Sequence, residues 1–184
     1  NGDCKIYDLR MNKLYFECNV GNGICSLQFD RNNIKINKLI ITTLESQFRI
    51  YDMKTKHISE GFAYLNVDTN VNKEVSDNKE KRGTTIWNVR HLPQNRDIWC
   101  TCQGNGVVNI WKYEYPDERY IIDDKGHKKG VMGECKLLSN KSLSSLSTQP
   151  IVSWNWNKDK PGLACLSSLD QTIQVVIVTK LNKF

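Results

Sequence analysis

The chain has 184 residues, 39% hydrophobic and 9% aromatic, with 26 Lys and Arg against 20 Asp and Glu for a net charge of +6. That length can bury roughly 70% of the unfolded surface in one or two domains, and the composition is ordinary for a globular protein. The longest purely aliphatic run, 175–178, falls far short of the ~20 residues of a membrane helix, so no membrane partner is expected.

Taken in order, 4–8 and 14–20 read as two strands around a turn at 9–13, and the glycines of 21–23 break to the next unit. Residues 24–29, 39–43 and 47–52 follow as three strands, with a polar connection at 30–38 and a candidate fourth strand at 57–65. The charged, asparagine-rich stretch 67–83 cannot bury enough apolar surface to order itself and is expected to be a mobile insertion. The clearest unit is 84–116. Within it, 87–91 alternates Trp87 and Val89 with Asn88 and Arg90, the period of a half-buried strand. A turn with proline and asparagine at 92–97 leads to 98–102, an apolar run suited to a pleated sheet. Gln103-Gly104-Asn105-Gly106 is a tight hairpin signal, and 107–111 closes the unit as a third strand. A second mobile, polar insertion is expected at 117–129, then a fourth strand at 131–138. The Ser/Thr-rich connector 139–148 bridges to the last unit, with strands at 151–156, 163–167 and 172–178 and a Lys160-Pro161-Gly162 turn.

One ending recurs. Ile6-Tyr7-Asp8, Ile50-Tyr51-Asp52 and Ile110-Trp111-Lys112 match, and Val175-Val176-Ile177 is a degenerate fourth copy. Asn1, Glu45, Asn105 and Asp170 each stand six residues before Tyr7, Tyr51, Trp111 and Val176, which are 44, 60 and 65 residues apart. The first spacing fits one four-stranded propeller blade, and the others exceed it by loop-sized insertions. The turn Asp170-Gln171-Thr172-Ile173-Gln174-Val175 resembles the Asp-x-Thr-Ile-x-Val run of a WD repeat. Tyr7, Asp8, Tyr51, Asp52, Trp111 and Asp170 are therefore the structural repeat positions. The expected fold is all-β: a WD40-type β-propeller of about three and a half blades of four-stranded antiparallel sheets, the C-terminal part of a seven-bladed ring. The chain starts at Asn1, already inside a blade, so the remaining blades are expected upstream. An isolated fragment would expose strand edges and blade faces and is expected to self-associate, two copies closing one ring.

Chemistry is sparse. Seven cysteines, an odd number mostly inside strands, read as reduced core thiols of an intracellular protein. Cys100-x-Cys102 puts two thiols on one strand face with no second pair, which favours packing over zinc. Asp123-Asp124 near His127 could clip a cation, but a solvated loop is preferred because hard cations want six or more oxygens. Of the three histidines, His57 and His127 stand in polar stretches and His91 ends a strand; no Cys or Ser sits in a nucleophile elbow, and no phosphate-binding loop is present. No enzyme activity, cofactor or metal is expected. The five tryptophans (87, 99, 111, 154, 156) lie on strands, where packing is the default, although an exposed one could anchor a partner. The positive charge sits in loops interleaved with acids and without stacking aromatics, so nucleic acid ranks below protein as a partner.

The wording of the blades is more specific. Residues 87–96 (WNVRHLPQNR), 111–116 (WKYEYP), 146–151 (LSTQPI), 167–172 (SSLDQT) and 177–183 (IVTKLNK) closely resemble the WD repeat-containing protein 92 (Monad) family over nearly the whole chain. The insertion at 67–83 departs from that pattern. The resemblance implies a cytoplasmic, non-catalytic adaptor: a partner of RuvB-like ATPases and prefoldin-like co-chaperone subunits in preassembling axonemal dynein chains, linked to apoptosis. Trp87, Arg90, His91, Lys112 and Tyr113 are the candidate partner-binding residues, because they occupy the most distinctive wording near strand ends. The alternatives are a basic propeller that binds nucleic acid and, by analogy of fold alone, a ubiquitin-ligase substrate receptor.

Overall fold

The computed structural model describes residues 1–31, 34–69, 84–138 and 145–183. It opens with a hairpin, β1 (Asp3–Asp8) and β2 (Lys13–Asn19), followed by the four-stranded sheet β3 (Ile24–Phe29), β4 (Lys38–Thr43), β5 (Gln47–His57) and β6 (Gly61–Asp68). A second four-stranded sheet takes β7 (Ile86–Leu92), β8 (Asn95–Gln103), β9 (Val108–Glu114) and β12 (Glu134–Leu137). Between its last two strands lies a short hairpin, β10 (Tyr120–Ile122) and β11 (Lys128–Gly130). The last sheet has three strands, β13 (Ile151–Trp156), β14 (Leu163–Ser168) and β15 (Ile173–Ile177). All neighbouring strands are antiparallel. This is a run of propeller blades, as the repeated endings predict.

The register confirms that the repeat is structural. Tyr51 faces Leu39, Trp111 faces Trp99 and Val176 faces Ala164, in each case twelve residues after its partner. One strand further in, Leu39, Trp99 and Ala164 face Phe29, His91 and Trp156. Equivalent positions of successive blades therefore sit on equivalent strands.

The core lies between sheets rather than within one. The face of β8 carrying Ile98, Cys100 and Cys102 packs with Trp154, Trp156 and Leu166 of the last sheet. Its other face sends Trp99 toward Ile40, Phe48 and Ile50. Leu39 and Ile41 of β4 face the first hairpin through Cys4 and Phe16, while Ile40 faces the opposite way. Because β4 and β8 are covered on both sides, they read as continuous apolar runs rather than alternating ones. The two cysteines of Cys100-x-Cys102 are fully buried packing groups on one face. Cys4 is buried as well, whereas Cys165 is exposed, and all seven cysteines are free thiols. Of the tryptophans, Trp99, Trp111, Trp154 and Trp156 are buried, and Trp87 is 39% exposed.

Three expected boundaries shift. The fourth strand of the first full sheet is Gly61–Asp68 rather than 57–65, because β5 runs on to His57 and the chain reverses at Gly61, with a φ of +77°. The fourth strand of the next sheet shortens to Glu134–Leu137. Residues 117–129, expected as a polar insertion, contain β10 and most of β11. Of the other expected insertion, 67–83, Val67 and Asp68 instead end β6, paired with Phe48 and Gln47, and 70–83 lie outside the described residues, as do 139–144 of the Ser/Thr-rich connector.

Candidate partner-binding site

The innermost strands β3, β7 and β13 run side by side, with β7 in the middle, and their C-terminal ends meet at one cleft of about 570 Å³. Gln28 comes from β3, Arg90 and His91 from β7, Trp156 from β13, and Arg31 and Lys158 from the loops that follow. The walls are stitched across blades. Gln28 Oε1 accepts the His91 backbone N–H at 2.7 Å, and the Trp156 indole N–H donates to the Arg90 carbonyl at 3.1 Å. Asn88 donates to the Val152 carbonyl, and Gln94 to the carbonyls of Asn157 and Lys158. A site on paired strand ends with such cross-links is held in shape before any partner arrives.

The charges are unequal. Asp30 is fully engaged: Arg96 Nε and Nη2 both lie 2.9 Å from its Oδ2, and the Asn37 amide donates to Oδ1. Burial alone would raise its carboxyl, but Arg96, two backbone amides and the Lys38 charge hold it below the usual carboxylate range. Among the described residues no acid pairs with Arg31, Arg90 or Lys158. The cleft is therefore electropositive. Burial, together with the nearby Lys38 charge, pushes His91 down to about 3 despite the opposing Asp30, so its ring is neutral at physiological pH. Its Nδ1 lies 3.2 Å from Gln28 Oε1, which leaves Nε2 as a buried acceptor with no hydrogen-bond partner. A cationic rim around a neutral acceptor suits an acidic segment that brings a donor of its own.

The five residues singled out from sequence do not form one surface. Arg90 and His91 line the cleft. Trp87 stands at the other end of β7 against the Gly104 turn, its indole half-exposed. Lys112 is part-buried on β9 and pairs with Glu114 at 3.4 Å. Tyr113 is 1% exposed, accepts the Gly133 N–H at 2.7 Å and meets Tyr115 edge-on with centroids 4.9 Å apart, so it packs the blade interior. Gln28, Arg31, Trp156 and Lys158 were not singled out. Aligning the first strands of the blades would have found the strand-end residues among them, since 28–29, 90–91 and 155–156 are equivalent strand ends.

Three of the repeat positions, Trp111, Asp52 and Asp170, tie strands and turns together. Trp111 donates its indole N–H to Thr101 Oγ1 at 2.9 Å on the adjacent strand. Asp52 is buried and receives Arg119 at 2.6 and 3.1 Å. Asp170 accepts from the Ser168, Thr172 and Ser147 hydroxyls and the Thr172 amide, which hold its carboxyl far below the usual range. Asp8 accepts from Arg10 in an exposed turn, and Tyr7 is exposed on β1.

No protein-family model matches the chain. Over its whole length it is 49% identical to the human protein named dynein axonemal assembly factor 10, and 43% identical to the Chlamydomonas reinhardtii protein of that name. The Dictyostelium discoideum protein so named is 31% identical over 96% of the chain. These relatives are the WD repeat-containing protein 92 family. The chain spans 47% of the human and algal proteins and 42% of the amoebal one, about half the length of the curated relatives it matches. Among solved structures, the β-propeller domain of Cps50 (Swd1) from Myceliophteria thermophila superposes with a TM-score of 0.60, covering 97% of this chain and 48% of that one at 13% identity. That likeness establishes the propeller fold. No helix among the described residues is long and apolar enough to cross a membrane.

Proposed function

We propose that this chain is the C-terminal part of the propeller of a dynein axonemal assembly factor 10 and serves as a non-catalytic adaptor for axonemal dynein preassembly in the cytoplasm. The observation that carries this reading is identity of 43–49% across the entire chain to relatives named for that assembly. In this role the propeller holds dynein chains while RuvB-like ATPases and prefoldin-like subunits act on them. The cross-linked, electropositive cleft at Arg90 supports the reading, because it offers acidic segments a preformed seat.

Affinity capture of the full-length protein from ciliated cells, with mass spectrometry of what accompanies it, tests the proposal. The expected result is enrichment of dynein chains together with RuvB-like ATPases or prefoldin-like subunits, insensitive to nuclease. Recovery of ribonucleoproteins lost on nuclease treatment, or of ligase subunits alone, would overturn it.

A further inference from the structure

His57 is far in sequence from Asp123 and His127, which share one turn, yet the three converge where the β10–β11 hairpin folds over the end of β5. The hairpin is docked from several sides. Arg119 binds Asp52, the Tyr120 hydroxyl donates to the Lys54 carbonyl at 2.7 Å, and a Cβ on Gly130 would come within 2.4 Å of Thr55. The turn then aims one carboxylate oxygen. Asp123 Oδ1 accepts the amides of Lys125 at 2.9 Å and His127 at 2.7 Å, which leaves Oδ2 toward the two rings.

Oδ2 lies 3.3 Å from His57 Nε2 and 3.8 Å from His127 Nδ1, and one ligand atom from each residue falls within 4.8 Å of the others. His57 is 6% exposed, and its Nε2 is buried with no hydrogen-bond partner even though the carboxylate is in ion-pairing reach. In a tetrahedral zinc site with bonds near 2.0–2.1 Å, ligand atoms stand roughly 3.3 Å apart. The His57–Asp123 edge already has that length. The half-exposed His127 has room to close the remainder, its ring standing edge-on to His57 with centroids 5.9 Å apart.

We propose that His57 Nε2, Asp123 Oδ2 and His127 Nδ1 bind one zinc-type transition-metal ion, with water in the fourth position, clipping the hairpin to the blade. Two imidazoles and a carboxylate suit zinc and its imidazole-preferring neighbours and are too few oxygens for calcium or magnesium. Binding moves the His57 ring proton to Nδ1, where Ser59 Oγ at 3.2 Å accepts it. In the metal-free form the Ser59 and Glu60 amides donate to Nδ1 at 3.3 and 3.2 Å, so binding gives up those two bonds and the Ser59 hydroxyl is the acceptor that remains.

Calorimetric titration of the full-length, metal-stripped protein with zinc chloride, paired with cobalt(II) absorption, tests the site. Expected are one saturable equivalent, a four-coordinate cobalt spectrum, and a loss of at least about tenfold in affinity in both His127→Ala and Asp123→Asn. His127 is partly exposed and its replacement leaves the blade core untouched, so a folding failure does not cloud that arm. Absence of a saturable equivalent, or binding unchanged in both variants, would overturn the proposal.

Discussion

The Lys38 ammonium donates to the Tyr115 hydroxyl at 2.6 Å, joining β4 of one blade to the chain just past β9 of the next. Lys38 is fully buried, pairs with Asp97 and lies 3.8 Å from Asp30. Burial lowers its pKa, while the two carboxylates oppose that shift. A buried lysine with three polar partners holds neighbouring blades in one relative position. Removing it strands those partners, the expensive way to break a buried pair.

Lys38→Met in the full-length protein should therefore cost about 3 kcal/mol of unfolding free energy, although methionine fills much of the space. Denaturant titration measures it. A loss below about 0.5 kcal/mol would show that the cross-blade link contributes little.

His91 should make the fold acid-sensitive. Its folded pKa is about 3 against an ordinary 6.5, so between those values the unfolded chain takes up a proton that the folded one refuses. Stability is complete above 6.5 and falls as pH drops toward 3, by up to about 1.4 kcal/mol per unit. From pH 6.5 to 5.0 the wild type should lose about 2 kcal/mol more than His91→Gln, which does not titrate. Equal losses would contradict burial of a neutral ring.

Thr101→Val leaves the Trp111 indole N–H buried without its acceptor and should cost about 2 kcal/mol, whereas Thr101→Ser keeps the oxygen and should cost less. Thermal unfolding of the two variants distinguishes loss of the bond from loss of the methyl.

Two glycines with similar backbone should respond differently. Gly106 and Gly126 have φ of +76° and +78°, but an added Cβ would lie 1.8 Å from the Ser147 carbonyl oxygen at Gly106 and meet nothing within 4 Å at Gly126. Gly126→Ala carries only the left-handed strain of about 1–2 kcal/mol. Gly106→Ala must also displace the connector to the last blade and should lower the melting temperature much further. Equal shifts would mean that this approach of connector and turn is loose.

These contrasts mark what was legible in the sequence. The endings at Tyr51, Trp111 and Val176 were visible because each lies on the third strand of its sheet, twelve residues past the residue it faces, and a local period survives any loop length. Lys38 was not visible: it reads as a surface cation, and only the apposition of two sheets buries it. The β10–β11 hairpin escaped notice because its strands are short and Tyr120, Ile121 and Ile122 are exposed, so no apolar alternation marks them. What holds the hairpin is Arg119 on Asp52, a contact 67 residues apart. A similar distance in sequence separated His57 from Asp123 and His127, so those two read together as a solvated loop and His57 as an isolated polar residue. Arg90 and His91 were singled out through distinctive wording, whereas Lys158 joins them at the cleft only because β3, β7 and β13 come together.

The most direct test of the adaptor account is outer- and inner-arm dynein content of axonemes from flagellated cells depleted of the full-length protein. The account predicts that dynein arms are lost, that wild-type protein restores them, and that a charge reversal of the cleft, Arg90→Glu with Lys158→Glu, folds but restores them poorly. Normal dynein arms after complete depletion would contradict it.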